Sequence, residues 1–111
     1  GQVEIVKLLL ARNKVDVDAR NNHGWTPLSQ AASHGHVESI KLLLARGDVD
    51  VDAKNNDGWT PLSVAARHGQ VEVVKLLLAR NEVDANAKDN HGWTPLSQAA
   101  YNGHVETVKL I

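Results

Sequence analysis

Tryptophan occurs three times in this chain, at positions 25, 59 and 93, always inside the string GWTPLS and always 34 residues apart. Residues 21–54 and 55–88 agree at 24 of 34 positions. Residues 1–20 repeat the last part of such a unit, and 89–111 the first part of another. We therefore read one domain over residues 1–111, built from a partial repeat (1–20), two full repeats (21–54 and 55–88) and a second partial repeat (89–111). A fixed period of roughly 20–50 residues restricts a chain to a solenoid, a propeller or a similar array, because each unit depends on its neighbours to cover its apolar face.

The chemistry of one unit chooses among these. In TPLSQAASH, Thr26 is suited to cap a helix, Pro27 to its first turn, and the residues that follow form helix readily. Gly35 then ends the run. VESIKLLLAR resumes it, with Val37, Ile40, Leu43 and Leu44 at helical spacing. DVDVDAKNNDG, rich in Asp, Asn and Gly, reads as a protruding turn or hairpin. The unit is helix, tight turn, helix, loop, and long alternating strands are absent. The expected core has Leu28, Ala31, Ala32, Val37, Ile40, Leu43 and Leu44 in one layer. Leu62, Ala65, Ala66, Val71, Val74, Leu77 and Leu78 form the next.

These strings, GWTPLSQAASHGHVESIKLLLARGDVDVDAKN and GWTPLSVAARHGQVEVVKLLLARNEVDANAKD, resemble ankyrin repeats over essentially the whole chain. The G-x-T-P-L box, the paired Ala, the turn Gly, the apolar second helix and the V-D-x-D/N-A loop carry the resemblance. The sequence departs from the family in having Ser29, Ser63 and Ser97 where His usually follows T-P-L. It also has a 34-residue period where 33 is usual. The LLLAR-x-x-VDVDAK and TPLS variants look similar to arrays of fungal NOD-like receptors. The resemblance implies an all-α repeat solenoid of stacked helix-turn-helix units with protruding loops or hairpins. It also implies a non-catalytic scaffold that binds a protein or peptide through its loop tips and concave helix face.

By that resemblance, the positions just before and just after the loop Gly and at the first helix's end are the partner-facing ones; apart from the Trp slot they change from unit to unit. Before the loop Gly stand His23, Asp57 and His91. After it stand Trp25, Trp59 and Trp93, which suit both a structural ladder and a binding stripe. At the first helix's end stand Ser33 with His34, Arg67 with His68, and Tyr101 with Asn102. Gln30, Val64 and Gln98 also vary. Asn86 falls where ankyrin loops can be hydroxylated, although Asp18 and Asp52 hold the equivalent slots.

Other chemistry fits poorly. The 111 residues carry 12 basic and 13 acidic side chains, a net charge of −1, which gives no footprint for nucleic acid or an anionic membrane. There is no Cys, hence no disulfide frame, thiolate zinc site or cysteine nucleophile. The six His residues recur a unit apart or face turns, so three or four do not converge on one ion. Asp48, Asp50 and Asp52 echo a calcium loop. However, Ala53 stands where its sharp-turn Gly is needed, and Trp59 where its bidentate Glu is needed. No nucleophile elbow or phosphate loop is present, and Ser recurs in every unit as structural residues do. We expect no cofactor, no metal and no catalysis.

The Thr-Pro steps read as helix caps rather than modification sites. Lys7, Lys41, Lys75 and Lys109 read as a solvated outer face, with Glu38 and Glu72 three residues before two of them. No apolar run reaches membrane length and no signal peptide is visible, so an intracellular setting is expected. Met is absent even at position 1, which suggests a piece of a longer chain or an engineered one. Apolar second-helix residues at both ends lead us to expect fraying or end-to-end packing. A self-assembling spacer, and a sensor part of a larger protein with its catalytic domain elsewhere, stay open beside partner recognition.

Overall fold

The computed structural model describes Val3 and residues 16–111. The apolar face expected over Ile5, Val6, Leu8, Leu9 and Leu10, and Lys7 of the lysine row, lie outside the described residues. Within them the chain forms six helices: α1 (Pro27–His34), α2 (Val37–Leu44), α3 (Pro61–Arg67), α4 (Val71–Leu78), α5 (Pro95–Tyr101) and α6 (Val105–Leu110). No strand forms among the described residues, and the loops are built of turns.

Each unit's first helix starts on a reciprocal cap. In α3, the Thr60 hydroxyl accepts the Ser63 N–H at 3.2 Å, while the Ser63 hydroxyl accepts the Thr60 N–H at 2.8 Å. The same exchange opens α1 through Thr26 and Ser29, and α5 through Thr94 and Ser97. Two otherwise orphaned amide groups are thereby satisfied, which is the logic of a capping box with a short Ser in its second position. Pro sits in the first turn, where its missing N–H costs nothing. This accounts for Ser29, Ser63 and Ser97: their hydroxyls are committed to the backbone.

Each pair folds back through a two- or three-residue turn, and the pairs stack so that α1, α3 and α5 form one row and α2, α4 and α6 a second. Leu28, Ala32, Leu62, Ala65 and Ala66 are buried between the rows, with Ile40, Val74 and Leu77 beneath them. The paired Ala residues let backbones approach at the short end of the usual helix spacing of about 8–10 Å.

The outer row corrects the expected core in one respect. Val37, Val71 and Leu78 are only half-covered, and the buried stripe runs instead through Ser39, Ile40, Leu43 and Leu44, and through Val73, Val74 and Leu77. Val37 and Val71 open α2 and α4, and Val37, like Leu78, packs against the core from its edge. The residue two places on faces the neighbouring pair. Ser39, Val73 and Thr107 share that register, and the hydroxyls of Ser39 and Thr107 are buried with no hydrogen-bond partner.

On the outer surface the lysine row pairs as expected. Lys41–Glu38 and Lys75–Glu72 close at 3.6 and 3.4 Å, and Lys109–Glu106 at 3.6 Å. All are solvent-exposed, so each contributes well under about 1 kcal/mol.

Candidate functional site

The loop that ends each unit presents the tryptophan. Asn55 folds its own loop: its side-chain oxygen accepts the N–H groups of Asp57 and Trp59, both at 2.9 Å, and its N–H reaches the Trp59 carbonyl at 3.0 Å. Between them Gly58 adopts φ +80°, and an added Cβ would lie 2.5 Å from the Asn90 side chain. Glycine is required there both by conformation and by space. Asn21 and Asp89 play the part of Asn55 in the other two loops.

Successive loops are then tied in register. The Asn56 N–H bonds the His23 carbonyl at 3.0 Å, and its side-chain amide bonds the Asn22 carbonyl at 3.1 Å. Asn90 repeats both bonds onto Asp57 and Asn56, at 3.1 and 3.0 Å. The Arg20 guanidinium donates to the Lys54 carbonyl, and Lys54 donates to that of Lys88. The loop tips therefore form a fixed row.

Between this row and the ends of the first helices lies an open groove of about 310 Å³, lined by Asp57, Trp59, Arg67, Asp89, His91, Trp93, Gln98 and Tyr101. One hydrogen-bonded network organises it. The Trp59 indole donates to Asp89 Oδ2 at 3.1 Å, and the Gln98 amide donates to the same oxygen at 3.3 Å. Arg67 donates to Gln98 Oε1 at 3.4 Å while its guanidinium lies 4.8 Å above the Trp59 ring, within cation–π range. Trp93 meets Tyr101 edge to face, with centroids 5.1 Å apart, and Tyr101 is 76% exposed.

Asp89 stays ionised at the centre of the network. Burial works to raise its pKa, but the amides of Trp93 and His91 and the Trp59 indole outweigh it. They hold the carboxyl below its ordinary value.

A second hollow of about 250 Å³ lies within the first full unit, lined by Asn21, His23, Trp25, Gln30, Ser33 and His34. Of the residues singled out in the sequence, Asp57, Trp59, Arg67, His91, Trp93 and Tyr101 thus share one groove. His23, Trp25, Ser33 and His34 share the next. His68 and Asn102 line neither: Asn102 bonds back to the Gln98 carbonyl at 2.8 Å, and His68 is exposed beside the turn. Partial burial, reinforced by Arg67, His34 and His104 nearby, lowers the His68 pKa.

Asp89 joins the site from outside the residues singled out in the sequence, and Gln98, noted there only as a position that varies, joins with it. Gln98 is buried at 3% exposure although its counterpart Gln30 is exposed. The signal for Asp89 was its carboxylate in a register otherwise held by Asn21 and Asn55.

The remaining polar residues are drawn into the frame. Gln70 bonds the Ser33 carbonyl at 3.1 Å and His104 the Arg67 carbonyl at 2.8 Å, so each pair caps the previous first helix. His34 stacks on His36 at 5.5 Å. In the acidic loop, Asp48 is held by Arg46 at 3.0 Å, Asp50 accepts the Asp52 N–H, and Asp52 accepts that of Asp84 at 2.9 Å. These carboxylates brace turns. Among the described residues no three His, Cys, Asp or Glu side chains converge as a metal site, and no helix is long and apolar enough to cross a membrane.

Stacked helix pairs with registered loops and a T-P-L cap define a repeat solenoid. A family model described as ankyrin repeats (3 copies) matches residues 47–111, and one described as ankyrin repeats (many copies) matches residues 9–65. The chain belongs to the ankyrin-repeat family. No curated protein sequence matches it. Ankyrin repeats are in general protein–protein interaction modules, and such domains are typically non-catalytic.

Proposed function

We propose that this array is a non-catalytic recognition scaffold that binds a protein or peptide through its loop tips and the adjoining ends of its first helices. The observation that carries this reading is the groove around Trp59, Trp93 and Tyr101, organised by the Asp89–Gln98–Arg67 network, with a second hollow at Trp25. Trp, Tyr and Arg are the side chains that most often anchor interfaces. Here they are fixed before any partner arrives, so little ordering entropy is lost on binding. The charge balance supports a protein partner over nucleic acid or an anionic membrane, and the lack of Cys suits an intracellular setting.

The test is a pull-down from host lysate with the immobilised chain against its Tyr101→Ala and Arg67→Ala variants. Both positions lie at the surface end of the first helices, so the stack is retained. A protein recovered by the parent and lost by both variants supports the reading. Equal recovery by all three contradicts it.

A second reading has its own observation. Leu96, Val105 and Val108 are 43%, 62% and 36% exposed on one end of the stack. Such a face suits end-to-end packing of the array on itself, or spacing of other domains. A mass from light scattering that rises with concentration, and falls back in Val105→Asp, is the outcome expected of that reading.

A further inference from the structure

The tryptophan row limits what kind of chain the groove can hold; this step rests on the recognition reading above. Trp25, Trp59 and Trp93 recur once per unit, and stacked helices lie about 8–10 Å apart. A polyproline II segment rises about 3.1 Å per residue, so every third side chain returns to the same edge after about 9.3 Å. Such a segment presents one apolar ridge residue per unit. A β-strand returns to the same face about every 6.6–6.8 Å and falls out of step within one unit.

An α-helix also comes back into step, after about 10.5 Å over seven residues. Hydrogen bonding separates the two. Among the described residues, the Trp93 indole N–H and the Tyr101 hydroxyl have no hydrogen-bond partner, whereas the Trp59 indole is engaged by Asp89. A helix has already used its carbonyls internally. A polyproline II segment makes no internal hydrogen bonds, so its carbonyls are free to accept from both groups.

Charge supplies the last element. Asp57 is exposed at the rim with no ion-pair partner among the described residues, and Asp57 and Asp89 outnumber Arg67 around the groove. We propose that the groove binds an extended, proline-rich peptide segment flanked by an Arg or Lys. Its apolar ridge steps from unit to unit past Trp59 and Trp93, its carbonyls accept from the Trp93 N–H and the Tyr101 O–H, and its basic end meets Asp57.

The test selects a random peptide library displayed on phage against the full chain, and then compares the pool's binding to the full chain and to Trp93→Ala. The expected pool carries Pro or an aliphatic residue at every third position and a basic residue at one end. A synthetic probe of repeated Pro-Pro-Leu closed by Arg then titrates the tryptophan fluorescence saturably. Trp93→Phe keeps an aromatic ring, though a smaller one, but loses the N–H, and weakens the probe about three- to tenfold. Asp57→Asn weakens it by a factor that shrinks as salt is raised.

A pool of proline-free amphipathic helices that depends on Trp93 overturns this inference and leaves the recognition groove standing. A pool indifferent to Trp93→Ala, with circular dichroism showing the variant folded, overturns both.

Discussion

The middle helix pair, α3 and α4, and the last described pair, α5 and α6, have nearly the same sequence and very different surroundings. Leu62 is 1% exposed and its counterpart Leu96 is 43% exposed. Ala66 is buried and Ala100 exposed; Val71 is half-covered and Val105 is 62% exposed. Gly58 and Gly69 are sealed by Asn90 and His104 of the following unit, whereas Gly92 and Gly103 have nothing within 4 Å. Identical residues thus differ in worth because burial is conferred by the neighbour. Stability in such an array is a property of interfaces between units, close to a one-dimensional sum.

The largest effect expected from this contrast is at the paired leucines. Leu62→Ala should cost about 2–5 kcal/mol, and Leu96→Ala less than about 1 kcal/mol, read from urea unfolding midpoints. Equal losses would break the contrast.

Next come the glycines. Gly69 and Gly103 share a positive φ, of +66° and +72°, so Ala at either is strained by about 1–2 kcal/mol. Only at Gly69 does the new Cβ also meet the His104 ring, at 2.6 Å. Gly69→Ala should therefore lower the melting temperature clearly more than Gly103→Ala.

Smaller, and opposite in sign, is Thr107→Val. It removes a buried hydroxyl without a partner and copies Val73 from the preceding unit. A gain of up to about 1 kcal/mol is expected in the same assay.

The smallest effect concerns pH. The folded pKa of Asp89 lies below its unfolded value, so its contribution is present above about pH 4 and is lost as pH falls through the folded pKa. Asp89→Asn, which restores the residue found at Asn55, should flatten that part of the acid limb of a pH–melting curve.

Much of this architecture was legible in the sequence because the period states it three times. The Thr-Pro starts, the glycine turns and, apart from half-covered Leu78, the expected Leu and Ala positions fell where expected. The register of Ser39, Val73 and Thr107 was hidden because two of its three residues are polar. Only the superposition of neighbours shows that the column is buried.

The groove network was hidden for a related reason. Trp59 meets Asp89 and Arg67 meets Gln98 across about 30 residues, between units, and periodicity within a unit says nothing of such pairs. His104 and Gln70, each in the turn between two helices, cap the first helix of the preceding unit. The roles of the reused Ser and Asp side chains were clearer, since a residue repeated in every unit is set by the frame.

The most direct test of the central claim, that the Trp59–Tyr101 groove is the recognition surface, is an amide and indole chemical-shift map with a captured partner or selected peptide. The account predicts that the indole signals of Trp59 and Trp93 and the amides of residues 89–102 shift together, while α2 and α4 stay still. Shifts confined to the lysine-bearing outer helices, with both indole signals unmoved, would contradict it.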